Sequence, residues 1–245
     1  MTALLPDGDL PGCAADRCGV EMVSSPAIPL RTASAQLDVV SDVICPWCYV
    51  GKQRLRRALA LLGVEVDITV RWRPFELNPS MPAGGLERDV YYERKFGSEA
   101  QARSRYARVI EAAASEGLTL SYDRIGRIPN TRLAHRLIWL AGTRDAQSAV
   151  VDALFSAYFV EGLDLGDLGL LTDIAVSVGF AREAALAALR GTAGAAEVAA
   201  DEAATRALGI DGVPAFLLNG RFVLSGAQSP ETIALALTAA LRRHA

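Results

Sequence analysis

The chain has 245 residues, a formal net charge of −3, 51% hydrophobic and 22% charged residues. Such a chain is long enough for one large domain or two closely joined ones, with a sizeable core. The small net charge argues against a nucleic-acid partner or an acidic membrane surface, and no apolar run approaches the roughly 18 residues that span a bilayer.

In chain order, residues 1–34 are rich in Pro, Gly, Ala and Ser without periodicity, and read as a mobile arm. The arm lacks the pattern of a secretory signal: Arg17 is its first basic residue, and Asp7 and Asp9 interrupt any apolar stretch. A cytoplasmic protein is therefore expected, in which the four cysteines serve catalysis or metal binding rather than structure. Cys13 and Cys18 lie in the arm. A mobile pair there could exchange with a second pair as a shuttle or lid, but the favoured expectation is incidental thiols, so that Cys13→Ser with Cys18→Ser leaves turnover unchanged.

Gln36 to Val43 alternates as a strand does, and Tyr49 to Leu62 reads as a helix stopped by Gly63. Cys45-Pro46-Trp47-Cys48 falls between them, with Cys45 at the helix start. A helix N-terminus offers unpaired N–H donors and a positive dipole end, both of which favour thiolate over thiol. A thiolate is the working nucleophile of cysteine chemistry, and two cysteines at this spacing can close a disulfide. The competing use, zinc, usually wants four ligands, and His135 and His244 have no helpful spacing. Redox chemistry without a metal is expected.

Val66 to Arg73 is a second alternating strand, and residues 74–85 form a Pro- and Gly-rich loop. From Leu86 to Leu208, alanine, leucine and charged residues recur at helical spacing, giving six or so helices. In this block Asn130 or Thr131 should cap a helix, placing His135 one turn in. The glycine rhythm of 162–169 follows a helical pattern rather than a strand and has no nucleotide meaning. Strand character returns at Val213 to Leu218. Asn219-Gly220 signals a hairpin into Arg221 to Leu224, and a last helix runs from Ser229 or Pro230 to about Arg243.

The order strand, helix, strand, helical block, hairpin, helix, with Cys-x-x-Cys after the first strand, resembles the thioredoxin fold with a helical insertion. Four stretches carry a more specific likeness: Ser41 to Gly51 (SDVICPWCYVG), Arg73 to Pro79 (RPFELNP), Pro129 to His135 (PNTRLAH) and Gly212 to Phe216 (GVPAF). They resemble the DsbA superfamily in its FrnE-type branch. The resemblance implies an α/β protein with thioredoxin-like halves at 35–85 and 209–245 around an inserted helical domain at 86–208. It also implies a thiol–disulfide oxidoreductase with Cys45 as nucleophile, Cys48 as resolving thiol and a cis-proline at Pro214. Kappa-class glutathione transferases and 2-hydroxychromene-2-carboxylate isomerases look similar but typically carry serine at the position of Cys45.

Several residues have both a functional and a plain expectation. Pro46 and Trp47 should set the redox potential by controlling the helix start. Trp47 takes no charge, so a less oxidising pair is expected than with the histidine of a Cys-Pro-His-Cys sequence. Val213, before Pro214, could pair its backbone with an extended substrate by strand addition. Asp42 could move a proton to the resolving thiol or simply bond to backbone. His135 could face the cleft, although a satisfied helix residue is favoured. Phe75, Trp47 and Tyr49 could rim the site or pack in the core, Trp47 being the one expected to be exposed. The favoured function is exchange of a Cys45–Cys48 disulfide with protein substrates through a mixed disulfide at Cys45. No tightly bound cofactor is expected, and glutathione or a thioredoxin-like protein would supply reducing equivalents. The competitors are a glutathione-dependent isomerase or transferase acting on a small molecule, and a chaperone-like peptide binder with incidental thiols.

Overall fold

In a computed structural model, described for residues 33–62 and 66–243, the chain forms a four-stranded mixed sheet with helices around it. The expectations for the arm, for Cys13, Cys18 and His244, and for the helix stop at Gly63 lie outside the described residues. Strand β1 (Ala33–Ser41) pairs in parallel with β2 (Val66–Pro74), from Ala33 opposite Val66 to Ser41 opposite Pro74. Helix α1 (Pro46–Leu61) makes the crossover between them. On its other flank β1 pairs antiparallel with β5 (Ala215–Leu218), which turns into β6 (Arg221–Ser225), so the sheet order is β2-β1-β5-β6.

The hairpin between β5 and β6 follows from Asn219-Gly220, whose φ values of 50° and 75° are the two positive angles a type I′ turn requires. Helix α9 (Pro230–Arg242) begins where expected. The Ser229 hydroxyl accepts from the Thr232 N–H at 3.2 Å, and Pro230 occupies the first turn, where its missing donor costs nothing.

Between β2 and β5 lie seven described α-helices: α2 (Arg88–Phe96), α3 (Glu99–Ser115), α4 (Arg132–Gly142), α5 (Gln147–Phe155), α6 (Leu168–Ser177), α7 (Arg182–Arg190) and α8 (Ala195–Ala207). A π-helical turn, Ser156–Glu161, continues α5. This is the thioredoxin fold with a helical region between its halves. The structure adds one element without a periodic signal: a two-residue ladder of β3 (Leu86–Glu87) with β4 (Arg127–Ile128). Strand β5 also starts two residues later than expected, leaving Val213 and Pro214 ahead of the ladder.

The main core runs from the sheet into the helical region without a break. Leu37, Val39 and Phe216 from the strands share it with Leu137, Leu154, Phe155 and Leu171 from the helices. Removal of that apolar area from water is the main force holding the helical block against the sheet. Among the described residues no helix is long and apolar enough to cross a membrane.

Candidate functional site

The backbone turns sharply after β1. The Cys45 N–H donates to the Asp42 carbonyl at 3.0 Å, and the chain then enters α1 with Cys45 as its N-cap residue and Pro46 in the first turn. No side-chain oxygen caps this helix. The cysteine sulfur therefore stands where an anion is favoured, beside first-turn donors without a side-chain acceptor. Cys48 follows one turn on, its N–H donating to the Cys45 carbonyl at 3.0 Å. Both thiols are free, but not equally accessible: Cys45 is 5% exposed and Cys48 1%. Burial is the first cause pushing the Cys48 thiol well above its ordinary value, and the neighbouring Cys45 adds to it. Trp47 is the exposed member of the run.

Val213 and Pro214 face this pair across the sheet end. The Val213–Pro214 peptide bond is cis, the geometry the resemblance implies. The Cys45 thiol donates to the Val213 carbonyl at 3.8 Å, a long contact of the kind sulfur makes. A shallow groove of about 510 Å3 runs beside them, lined by Val213, Pro214, Ala215 and the exposed Leu208 and Phe222. Gly51, in the interior of α1, lets the proline sit this close: a Cβ there would meet Pro214 Cγ at 2.9 Å. Its role escaped sequence reasoning because the close approach joins residues far apart in the chain.

The other two quoted stretches close around the same turn. The Leu77 N–H donates to Asp42 Oδ2 at 2.8 Å. His135, from α4, brings its Nε2 to 3.5 Å from Asp42 Oδ1, with both side chains buried. Glu76 and Arg132 join these stretches through an ion pair of 2.9 Å, and the Asn130 amide donates to the Met81 carbonyl at 2.8 Å. Asn130 also accepts from the Arg132 N–H at 3.1 Å, so it, rather than the Thr131 side chain, bonds to the start of α4. Ser41, absent from the expected site, is buried next to Asp42 and lines one cavity with His135, and its hydroxyl offsets part of the rise of the Cys48 thiol.

Two aromatic side chains are core rather than rim. Phe75 is buried with Val40, Ile210, Ala215 and Leu217, and the Arg206 guanidinium lies 4.1 Å from its ring centre. It supports the sheet and does not face the thiols, because the end of β2 turns that side chain inward. Tyr49 stacks on Phe155 at 5.1 Å and on Phe159 at 5.7 Å. The aromatic wall of a cleft of about 330 Å3 comes instead from Tyr92, Tyr106 and Tyr122, with Arg88 and Arg103 at its edge. Burial raises the Tyr106 and Tyr122 hydroxyls well above their ordinary value, and the neighbouring tyrosines add a smaller push.

Among the described residues no cluster of three or more His, Cys, Asp or Glu side chains could hold a metal ion. The arrangement suits thiol–disulfide exchange: one thiol at a helix start, a second one turn behind it, and the Val213 carbonyl beside the first.

The comparisons with known proteins bear on the family and the fold. A probable DsbA oxidoreductase of Streptomyces coelicolor, known from its crystal structure, is 35% identical, with 85% of this chain and 90% of that one superposed at a TM-score of 0.78. The fold is shared more distantly with a 2-hydroxychromene-2-carboxylate isomerase, 19% identical over 85% of this chain and 97% of the other, with a TM-score of 0.66. It is shared too with the cytosolic disulfide reductase DsbM of Pseudomonas aeruginosa solved with glutathione, 17% identical over 84% and 99% of the two chains, with a TM-score of 0.54. The family model of the DSBA-like thioredoxin domain matches residues 36–238, and the chain belongs to that family.

Proposed function

We propose that this chain is a cytoplasmic dithiol–disulfide oxidoreductase acting on protein substrates. The observation that carries the proposal is the placing of Cys45 at the start of α1, with Cys48 one turn behind and the cis Val213–Pro214 bond beside them. In the oxidising direction a substrate thiolate attacks Cys45 of the Cys45–Cys48 disulfide, and Cys48 leaves as the thiolate. A second substrate thiolate then attacks the substrate sulfur of the mixed disulfide and expels Cys45. In the reducing direction the Cys45 thiolate attacks a substrate disulfide, and Cys48 resolves the mixed disulfide. Pro46 and Trp47, in the first turn of α1, stand between the two thiols and tune the pair. Val213 and Pro214 offer an extended substrate a backbone edge, and the groove with Leu208 and Phe222 offers it apolar floor. Glutathione is the proposed small co-substrate, in keeping with the glutathione complex of DsbM, and a thioredoxin-like protein is an alternative source of electrons.

The test is equilibration against glutathione buffers with Trp47 fluorescence and thiol trapping. A reversible two-electron transition between about −120 and −270 mV is expected. A protein that shows no transition, or that only forms a glutathione adduct, would sink the dithiol mechanism.

The fold shared with the isomerase and the tyrosine-lined cleft favour one second reading: glutathione-dependent turnover of a small aromatic molecule at Cys45. Turnover of such a compound that survives Cys48→Ser would select it over the first.

A further inference from the structure

A pocket of about 490 Å3 opens between α4, α8 and the loop after β2, and none of Cys45, Cys48, Val213 or Pro214 lines it. Its wall on α8 is Ala195, Val198, Ala199 and Ala203, which recur at helical spacing on one face of that helix. These side chains are too short to fill the space between the helices. The volume falls in the range of small-molecule sites, about 300–1,000 Å3.

Three arginines stand around this wall: Arg132 and Arg136 from α4, and Arg206 from α8. Each is already held. Arg132 donates from Nε to Glu76 Oε1 at 2.9 Å and from Nη2 to the Pro79 carbonyl at 3.0 Å. Arg206 donates from Nη2 to Glu202 Oε1 at 2.7 Å and to the Glu76 carbonyl at 2.8 Å. Arg136 donates only to carbonyls, those of Ala188, Gly191 and Ala193, in the last turn of α7 and just beyond it. In all three, no bond among the described residues falls on Nη1. These guanidinium groups are ordered in advance, so an anion meeting them would lose little binding energy to fixing them.

The charges do not cancel. Glu76 and Glu202 are the two carboxylates of the pocket, against three arginines. Both are buried, at 5% and 8% exposure, whereas the Arg132 and Arg206 side chains are 58% and 40% exposed. Glu202 also accepts from the Glu76 N–H at 2.9 Å, so its capacity is spent inward. Arg132 and Arg136 are four residues apart on α4, and like charges at that spacing destabilise a helix. A bound anion would offset that cost.

We propose that this pocket binds a small organic acid, with its carboxylate on the guanidinium groups of Arg132, Arg136 and Arg206 and its apolar body on the α8 wall. One negative charge matches the one surplus cation, and the paired oxygens of a carboxylate fit the planar fork of a guanidinium. The short side chains of the wall leave room for a phenyl ring or a short alkyl chain. The site uses no thiol, so it stands whichever way the Cys45–Cys48 pair exchanges.

The test titrates the full chain with 4-phenylbutyrate by isothermal calorimetry, beside acetate, which lacks the apolar body, and 4-phenylbutyramide, which lacks the charge. One molecule of 4-phenylbutyrate should bind per chain, about tenfold or more tighter than either control. Ala199→Leu keeps helix propensity and removes no hydrogen bond while filling the wall, and it should weaken binding about tenfold or more. Arg136→Gln, which strands no carboxylate, should do the same. No binding to the parent, acetate or the amide binding as tightly as the acid, or full affinity in Ala199→Leu would each overturn the site. Should Arg136→Gln fail to fold, the Ala199→Leu result decides. Binding should persist in the Cys45→Ser, Cys48→Ser protein. Its loss there would place the acid at the thiols and refute the proposal.

Discussion

Gly51→Ala sets two effects of known sign against each other. An alanine in a helix interior is worth up to about 1 kcal/mol over glycine. At this position, though, the added Cβ would stand 2.9 Å from Pro214 Cγ and 3.6 Å from the Ala227 Cβ. A proline ring cannot swing aside as a long side chain can, so helix or proline must shift, and overpacking of this kind costs about 1–3 kcal/mol. The balance is a loss of about 0–2 kcal/mol where propensity alone predicts a gain. Each kcal/mol lowers Tm by about 2–4 °C in a chain of this size. The shift should also move Pro214 relative to Cys45 and slow attack on a disulfide. Urea unfolding and the rate at which reduced Cys45 captures an aromatic disulfide reagent measure the two effects. A variant stabilised by about 1 kcal/mol with an unchanged rate would refute the close contact and its functional role.

The thiols should differ in reactivity. In reduced native protein, iodoacetamide should modify Cys45 well before Cys48, because burial both shields Cys48 and raises its thiol; peptide mass mapping at short times checks this, and equal rates would contradict the geometry. Glu116 offers a pH prediction. Burial raises its carboxyl, but bonds from Arg57 and Arg54, each 2.8 Å long, outweigh this and lower it overall. A lowered carboxylate stabilises the fold fully above the ordinary carboxylate range and loses that contribution as pH falls through its folded value. Glu116→Gln should therefore cost about 1 kcal/mol at pH 7, and the gap between variant and parent unfolding curves should close in acid. A gap independent of pH would show that the ion pairs contribute nothing.

Local signals in the sequence were enough for the elements that frame the site. Alternation over Gln36 to Val43, the cysteine run at the start of the helix, Asn219-Gly220 and the Ser229-Pro230 cap each act through neighbours within a few residues, so spacing carries them. The order of those elements, with the four quoted stretches, was enough for the thioredoxin fold. The β3–β4 ladder was invisible because two residues display no period. Phe75 was ambiguous because an aromatic side chain reads alike on a rim and in a core, and only the turn at the end of β2 decides which it becomes. Asp42, Leu77, His135 and Gly51 were each legible as residue types, but not as partners. Their meeting depends on α4 packing against the end of β1 and on Pro214 seating against α1. Such contacts are set by burial of the shared core across long stretches of chain, which no local spacing encodes. The sequence alone therefore determined that a cysteine pair opens a helix, and the tertiary structure decided which buried groups stand behind it, because only the folded core brings them together.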